Sequence, residues 1–351
     1  MNSNERVRCV LRGEVPDRPP LYDLIRNDEM IEYYAGAELS QENRTEVVLR
    51  AIGQALDATK QFIRFPELPH EETLADGRRR RHQRWTYWDD PLHFNNAGQA
   101  AAYLRDILDH PEAFIGDPLE YTRQGEADYL RKRQGMEPAT LLLEIGATEG
   151  FHNFYETIGL ELMSYLSVDY PDLVNQYLEL HAQRSERWIE ALSIVDQLPA
   201  VFYGVDLAYK SGPLFSPAFL RRVVFPHIER LVAAYHRRGI PVVFHSDGNL
   251  WRILDDLVAL GIDGLNPIEV LAGMDPAELR RRYPRLVLVG GIDCSQLLPF
   301  ATPQEVADTT RRTIEAAGPG YMVGSSTEIH AAIPLDNVRA MIDTAREYRY
   351  L

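Results

Sequence analysis

The chain has 351 residues, 45% of them hydrophobic and 25% charged, the balance of a globular protein with a substantial core. Its 37 basic and 52 acidic residues leave a formal charge of −15, which disfavours nucleic acid or an anionic membrane as the main partner. No apolar run approaches the roughly 18 residues that a bilayer span requires.

The first six residues lack the apolar core of an export signal. Cys9 and Cys294 lie far apart and form no CxxC pair. A reducing cytoplasmic location is expected, and a cysteine-rich zinc site is not.

Short apolar runs bounded by turn residues predict eight strands, at 19–25, 61–65, 140–146, 200–205, 241–245, 264–268, 286–292 and 321–324. Helical periodicity falls between most of them, at 173–192, 217–237, 250–260, 275–283, 302–316 and 334–348. Pro217, Pro276, Pro303 and Pro334 stand near helix starts, with Ser216 and Thr302 as caps. Strand and helix alternating along the whole chain predict a parallel sheet. Eight such units predict a single-domain α/β protein, a (β/α)₈ TIM barrel. An open dinucleotide-binding sheet is disfavoured because no GxGxxG follows the first strand.

The stretch 66–139 breaks the rhythm between the second and third strands. It is expected to hold a hairpin around Gly77, a helix near 100–108 and a charged helix near 126–134, and to cover the site as a long insertion. The run Arg78-Arg-Arg-Arg81 is read as a solvated arm of that hairpin.

Polar groups collect where the predicted strands end. The fourth leads to Asp206, the fifth to His245 and Asp247, the sixth to Asn266 and Glu269, the seventh to Asp293, and the eighth to Ser325, Ser326, Glu328 and His330. In a parallel barrel these ends share one mouth. Imidazole with carboxylates suits Zn²⁺ or a similar ion, and the same groups also suit metal-free proton transfer. Each has a structural alternative: Asp247 and Asp293 as helix caps, Glu144 as half of a buried pair, Tyr203 as core. Cys9 reads as helix packing, and Cys294 has no partner that would activate it.

The opening Glu5-Arg-Val-Arg-Cys-Val-Leu-Arg-Gly-Glu-Val-Pro-Asp-Arg-Pro-Pro20 resembles the start of the uroporphyrinogen decarboxylase superfamily. So do Ser216-Pro217, His245-Ser-Asp-Gly248, Gly290-Gly-Ile-Asp293 and Pro334-Leu-Asp-Asn337, in the family's order. The resemblance implies a (β/α)₈ barrel with its site at the carboxyl ends of the strands. True decarboxylases of the group carry an arginine-rich loop after the first strand, where this chain keeps Arg26 alone. A second branch holds zinc-dependent methyltransferases with a His-x-Cys motif and a later Cys. His245 matches that His, Asp247 takes the first Cys position, Glu269 follows 24 residues on, and Ser325 or Ser326 lies near the second Cys.

The resemblance therefore implies a metal-dependent methyltransferase acting on a small methylated substrate, with Zn²⁺ and a methyl-corrinoid carried by a partner protein, and with two copies of the chain able to pair. Metal ligation falls to His245, Asp247, Glu269, Ser325, Glu328 and His330, substrate contact to Arg26, Tyr203, Asn266 and Asp293, and catalysis to Asp206, Glu144 and Asp247. Alternatives are decarboxylation of a tetrapyrrole or smaller acid, and a binding subunit without chemistry.

Overall fold

A computed structural model describes residues 1–145 and 150–350. The fold is α/β, built on strands that pair in parallel. Val201–Gly204 lies beside Val242–His245, followed by Gly264–Asn266, Val287–Val289 and Tyr321–Met322. Ala58–Lys60 pairs in the same sense with Thr140–Leu142. Single parallel bridges join these groups: Leu143 to Val201, Tyr22 to Ala58, and Leu21 to Val323. The last segment of the series is thus a neighbour of the first.

The strands are short, apolar and buried on both faces, as in Val287–Val289 and the first three residues of Val242–His245, because helices cover the side that would otherwise meet water. Alternate residues fall into two packing layers. Phe202, Val243, Val287, Val289 and Met322 share an inner cluster with Val7 and Val10 of the helix Ser3–Leu11. Tyr203, Phe244 and Leu288 belong instead to the larger outer core beneath the helices. Burying Val7 and Val10 contributes about 1.5–3 kcal/mol each. The helix that carries them begins at a capping box between Asn2 and Glu5. Cys9 on the same helix is buried, in agreement with its reading as packing.

The second strand differs from expectation. It occupies Ala58–Lys60, not 61–65. The bulkier run 61–65 drew the prediction, yet Phe62 within it is 45% exposed. What places the strand is Asp57, 1% exposed. Its carboxylate accepts hydrogen bonds from Arg6 Nη1 at 2.6 Å, Arg18 Nη1 at 2.7 Å and the Leu21 amide at 2.9 Å. One buried charge thereby ties the N-terminal helix, the first strand segment and the second strand together. The third expected strand is observed over Thr140–Leu142 with a bridge at Leu143, and its expected end at Gly146 lies outside the described residues.

The stretch 66–139 contains an antiparallel sheet of His70–Thr73, Arg79–His82 and Tyr87–Asp89, then the helices Ala97–Asp109, Pro111–Ile115 and Pro118–Gly135. The arginine run lies on this hairpin but is not simply solvated. Arg80 and Arg81 reach Asp89 and Asp90 in bidentate pairs whose shortest contacts are 2.7 Å. Helices elsewhere start as the prolines suggest, with Ser216 and Thr302 accepting from backbone amides. No helix among the described residues is long and apolar enough to cross a membrane.

Replacing Asp57 by Ala takes from Arg18 its carboxylate partner and leaves Arg6 with Asp17 alone, and breaking a buried pair in this way costs about 3–5 kcal/mol. Urea titration of the Asp57→Ala variant should show a lower midpoint with an unchanged slope. A midpoint equal to that of the parent chain would contradict the anchoring role.

Candidate functional site

His245 closes its strand on the inner face, in register with Gly204 on one side and Asn266 on the other. The centre of its imidazole ring lies 5.1 Å from that of Phe202. Asn266 Nδ2 donates to the Val289 carbonyl at 3.4 Å, which orients the amide so that its Oδ1 faces His245 Nδ1 at 2.7 Å. An amide oxygen only accepts, so Nδ1 donates to it and Nε2 is turned the other way.

Nε2 faces carboxylates. His245 Nε2 is 3.7 Å from Asp206 Oδ1, and ligand atoms of Asp206, His245 and Asp247 all lie within 4.8 Å of one another. Asp206 Oδ1 also accepts from the Asp247 amide at 3.2 Å. Asp247 Oδ1 is buried with no hydrogen-bond partner. Burial first, and then the charges of Asp206 and Glu269, push the Asp247 carboxyl up to about 6 against the opposing pull of His245. The turn that brings Asp247 here requires Gly248. Its φ is +89°, and a Cβ would meet Tyr209 N and Ala208 C at 2.6 Å.

The remaining expected ligands are engaged elsewhere. Glu269 stays beside the cluster, but its Oε2 accepts from Gly248 N at 2.7 Å. Ser325 is held by Asp23 through both its amide, at 2.6 Å, and its hydroxyl, at 2.7 Å. Glu328 pairs with Arg26 at 2.6 Å. His330 has Nε2 2.9 Å from the Cys294 carbonyl, and its Nδ1 accepts from Ala332 N at 3.3 Å, so neither nitrogen is available. Ser325, Glu328 and His330 thus stand outside the cluster of Asp206, His245 and Asp247.

Two of the expected substrate contacts have structural partners. Asp293 caps a helix start, accepting from the amides of Ser295, Gln296 and Leu297 and from the Ser295 hydroxyl. The Tyr203 side chain packs in the outer core edge-on to Phe244, because it occupies the opposite parity to Phe202. Arg26 and Glu144 do line the central cavity, of about 800 Å³, together with Asp206 and His245. Glu144 is partnered, with Lys60 Nζ 3.3 Å away. Cys294 receives a hydrogen bond from the Ser326 hydroxyl at 3.4 Å, and burial pushes its thiol up, which keeps it unreactive.

Sequence reasoning missed Lys60, Phe202 and His152, which all face this cavity. Lys60 would have been visible as a strand-end polar group had the second strand been placed three residues earlier. Phe202 required the correct parity. His152 Nδ1 lies 2.6 Å from the Tyr155 hydroxyl and accepts from Asp206 N at 3.3 Å, while Nε2 is 3.1 Å from Glu156. Burial works against the charged imidazole, but Glu156 and Asp206 outweigh it and raise the His152 pKa. No spacing motif marks that residue.

Residues 158–348 match the family model described as Uroporphyrinogen decarboxylase (URO-D). A uroporphyrinogen decarboxylase of Alkalilimnicola ehrlichii is 28% identical, covering 98% of this chain and 94% of its own length. The Methylcobamide:CoM methyltransferase MtbA of Methanosarcina mazei is 24% identical over 40% of each chain. A solved structure of a methyltransferase from Methanosarcina mazei superposes with a TM-score of 0.67 at 16% identity, covering 99% of both chains, a likeness of fold.

Asp23 lies behind the cavity, wholly buried, and burial pushes its carboxyl up to about 7 against the hydrogen bonds from Ser325 and Leu24. Between pH 4 and 7 the folded chain then holds a proton that the unfolded chain has released. Stability falls as the pH rises through that window, by a few kcal/mol at most, and levels off above it. Urea unfolding of the parent and of Asp23→Asn at pH 5 and pH 8 should show the variant gaining on the parent at the higher pH. An equal difference at both pH values would show that Asp23 is ionised throughout.

Proposed function

This chain belongs to the uroporphyrinogen decarboxylase (URO-D) family, and from that premise we propose that it is a methyl-transferring enzyme whose Asp206, His245 and Asp247 hold a divalent cation, Zn²⁺ foremost. The observation that carries the reading is the orphaned Asp247 Oδ1, buried beside a second carboxylate and the His245 imidazole. Asp206 and Asp247 bring two carboxylates into one small space, one oxygen of which has no partner, and a bound cation removes that cost. When bound, such an ion would supply Lewis acidity toward the heteroatom that gives up or receives the methyl group.

The chain's own residues perform the rest of the work. Asn266 holds the imidazole in the tautomer that offers Nε2. The Asp247 amide and the contact to His152 fix the orientation of Asp206. Two carboxylates and one imidazole form a harder site than one with thiolates, better suited to oxygen donors than to sulfur. In this reading the succession of parallel pairings is a closed (β/α)₈ barrel, one domain with 66–139 as an insertion over its mouth. The protein would act in the cytoplasm with its two cysteines free. The methylcobamide named for the Methanosarcina mazei relative supports a methyl-corrinoid, carried by a partner protein, as the other participant.

The relative from Alkalilimnicola ehrlichii, alike over nearly the full chain, favours a second reading, a decarboxylase. There Asp206 and Glu144 would move protons and Arg26 would hold an acid. Incubation with uroporphyrinogen separates the two, since coproporphyrinogen formation supports only the second.

Metal analysis after zinc loading and desalting should find about one ion per parent chain and less than about a tenth of that in His245→Ala and Asp247→Asn. Asn266→Ala, which frees the ring to rotate, should weaken zinc about 10- to 100-fold. A parent chain that retains no divalent ion, or a His245→Ala variant that retains as much as the parent, removes the metal-dependent mechanism.

A further inference from the structure

The cationic side chains lining the central cavity are almost all spoken for. Arg26 is 2.6 Å from Glu328, Lys60 is 3.3 Å from Glu144, Arg78 is 2.7 Å from Asp76 and Lys132 is 2.8 Å from Asp128. Arg64 lines the same cavity and differs. No carboxylate pairs with it among the described residues, and its Nε is buried without a hydrogen-bond partner. The guanidinium is not loose. Its Cζ sits 4.5 Å from the centre of the Phe62 ring and 3.9 Å from that of Tyr87, a cation–π contact with each.

A guanidinium fixed in orientation, partly desolvated and lacking a counter-ion is a site for an anion. Its neighbour feels the excess charge. Burial first, and the Arg64 charge besides, hold Arg26 below its ordinary value despite Glu328. The surroundings indicate the body that such an anion would carry. Phe62 and Trp88, both lining the cavity, are 45% and 47% exposed, large apolar surface left in contact with water where a flat apolar ligand would cover it.

A row of contacts leads from Arg64 to the candidate cation site. Phe62 lies 5.8 Å from Lys60 Nζ, Lys60 Nζ is 5.1 Å from the Phe202 ring, and Phe202 is 5.1 Å from His245. These contacts make a continuous wall between Arg64 and His245.

We propose that Arg64 is the specificity-determining anion anchor of the substrate site, and that the substrate is an organic acid with one carboxylate on a flat, unsaturated body. The proposal rests on the methyl-transfer reading only for the methyl group at the end facing His245. The pairing of Arg64 with an acid stands on the charge distribution alone.

Isothermal titration of the full chain in EDTA, with 4-methoxybenzoate and its neutral counterpart 4-methoxybenzamide as probes, tests it. The parent should bind the acid and discriminate against the amide. Arg64→Gln should weaken the acid about 10- to 100-fold, the loss expected for a charge-assisted hydrogen-bonded pair, and leave the amide unchanged. Arg64→Lys should fall between, since the charge remains and the fork is lost. Melting curves establish that each variant is folded, and Arg64→Lys carries the test if Arg64→Gln is not.

Equal binding of acid and amide to the parent, undiminished acid binding by the folded variants, or no acid binding at all would each overturn the proposal. With EDTA present the measurement is blind to the cation site. A failure here leaves the metal reading intact, and failure of zinc uptake leaves Arg64 intact.

Discussion

Parallel register is the constraint on which the site depends. His245 stands across from Gly204 and Asn266 because three neighbouring strands hold one alignment. A shift of one residue would turn the imidazole into the outer core and bring Phe244 inward. The same pleat separates Phe202, on the cavity wall, from Tyr203, in the packing beneath the helices. At the far end of these strands the Asp263 carboxylate accepts from the Val242 amide at 2.7 Å and ties one strand start to the next.

Charge is distributed unevenly over the cavity, and the imbalance is informative. Toward the strand ends, Asp206 and Asp247 share a small space with an imidazole already committed at Nδ1. Toward the hairpin of the 66–139 stretch, Arg64 is a cation without a counter-ion among the described residues. One region is short of positive charge and the other of negative. A chain of net charge −15 gains nothing from leaving a desolvated guanidinium unpaired in a water-accessible cavity unless a ligand completes it.

Sequence reasoning succeeded and failed for identifiable physical reasons. Asp206, His245 and Asp247 were legible because each follows an apolar run short enough to be a buried strand, and they do converge. Ser325 and His330 follow such runs too, but their hydrogen-bonding capacity is taken by Asp23 and the Cys294 carbonyl, partners far away in the chain. The second strand was misplaced because hydrophobic bulk at 61–65 outweighed the small residues Ala58 and Thr59, which are the buried ones. Lys60 was lost with it. Arg64 carried no signal, since nothing in a linear sequence shows that an arginine has no counter-ion.

The amino-acid sequence by itself determined the alternation of strands and helices, the parallel sheet and the face on which polar strand ends collect. Those properties follow from local periodicity and turn chemistry, which neighbouring residues encode. Only the tertiary structure decided which side of each strand faces the cavity, which carboxylates are neutralised by a partner and which are left over. Those outcomes depend on distances between residues tens or hundreds of positions apart, and electrostatic energy is a function of distance in space.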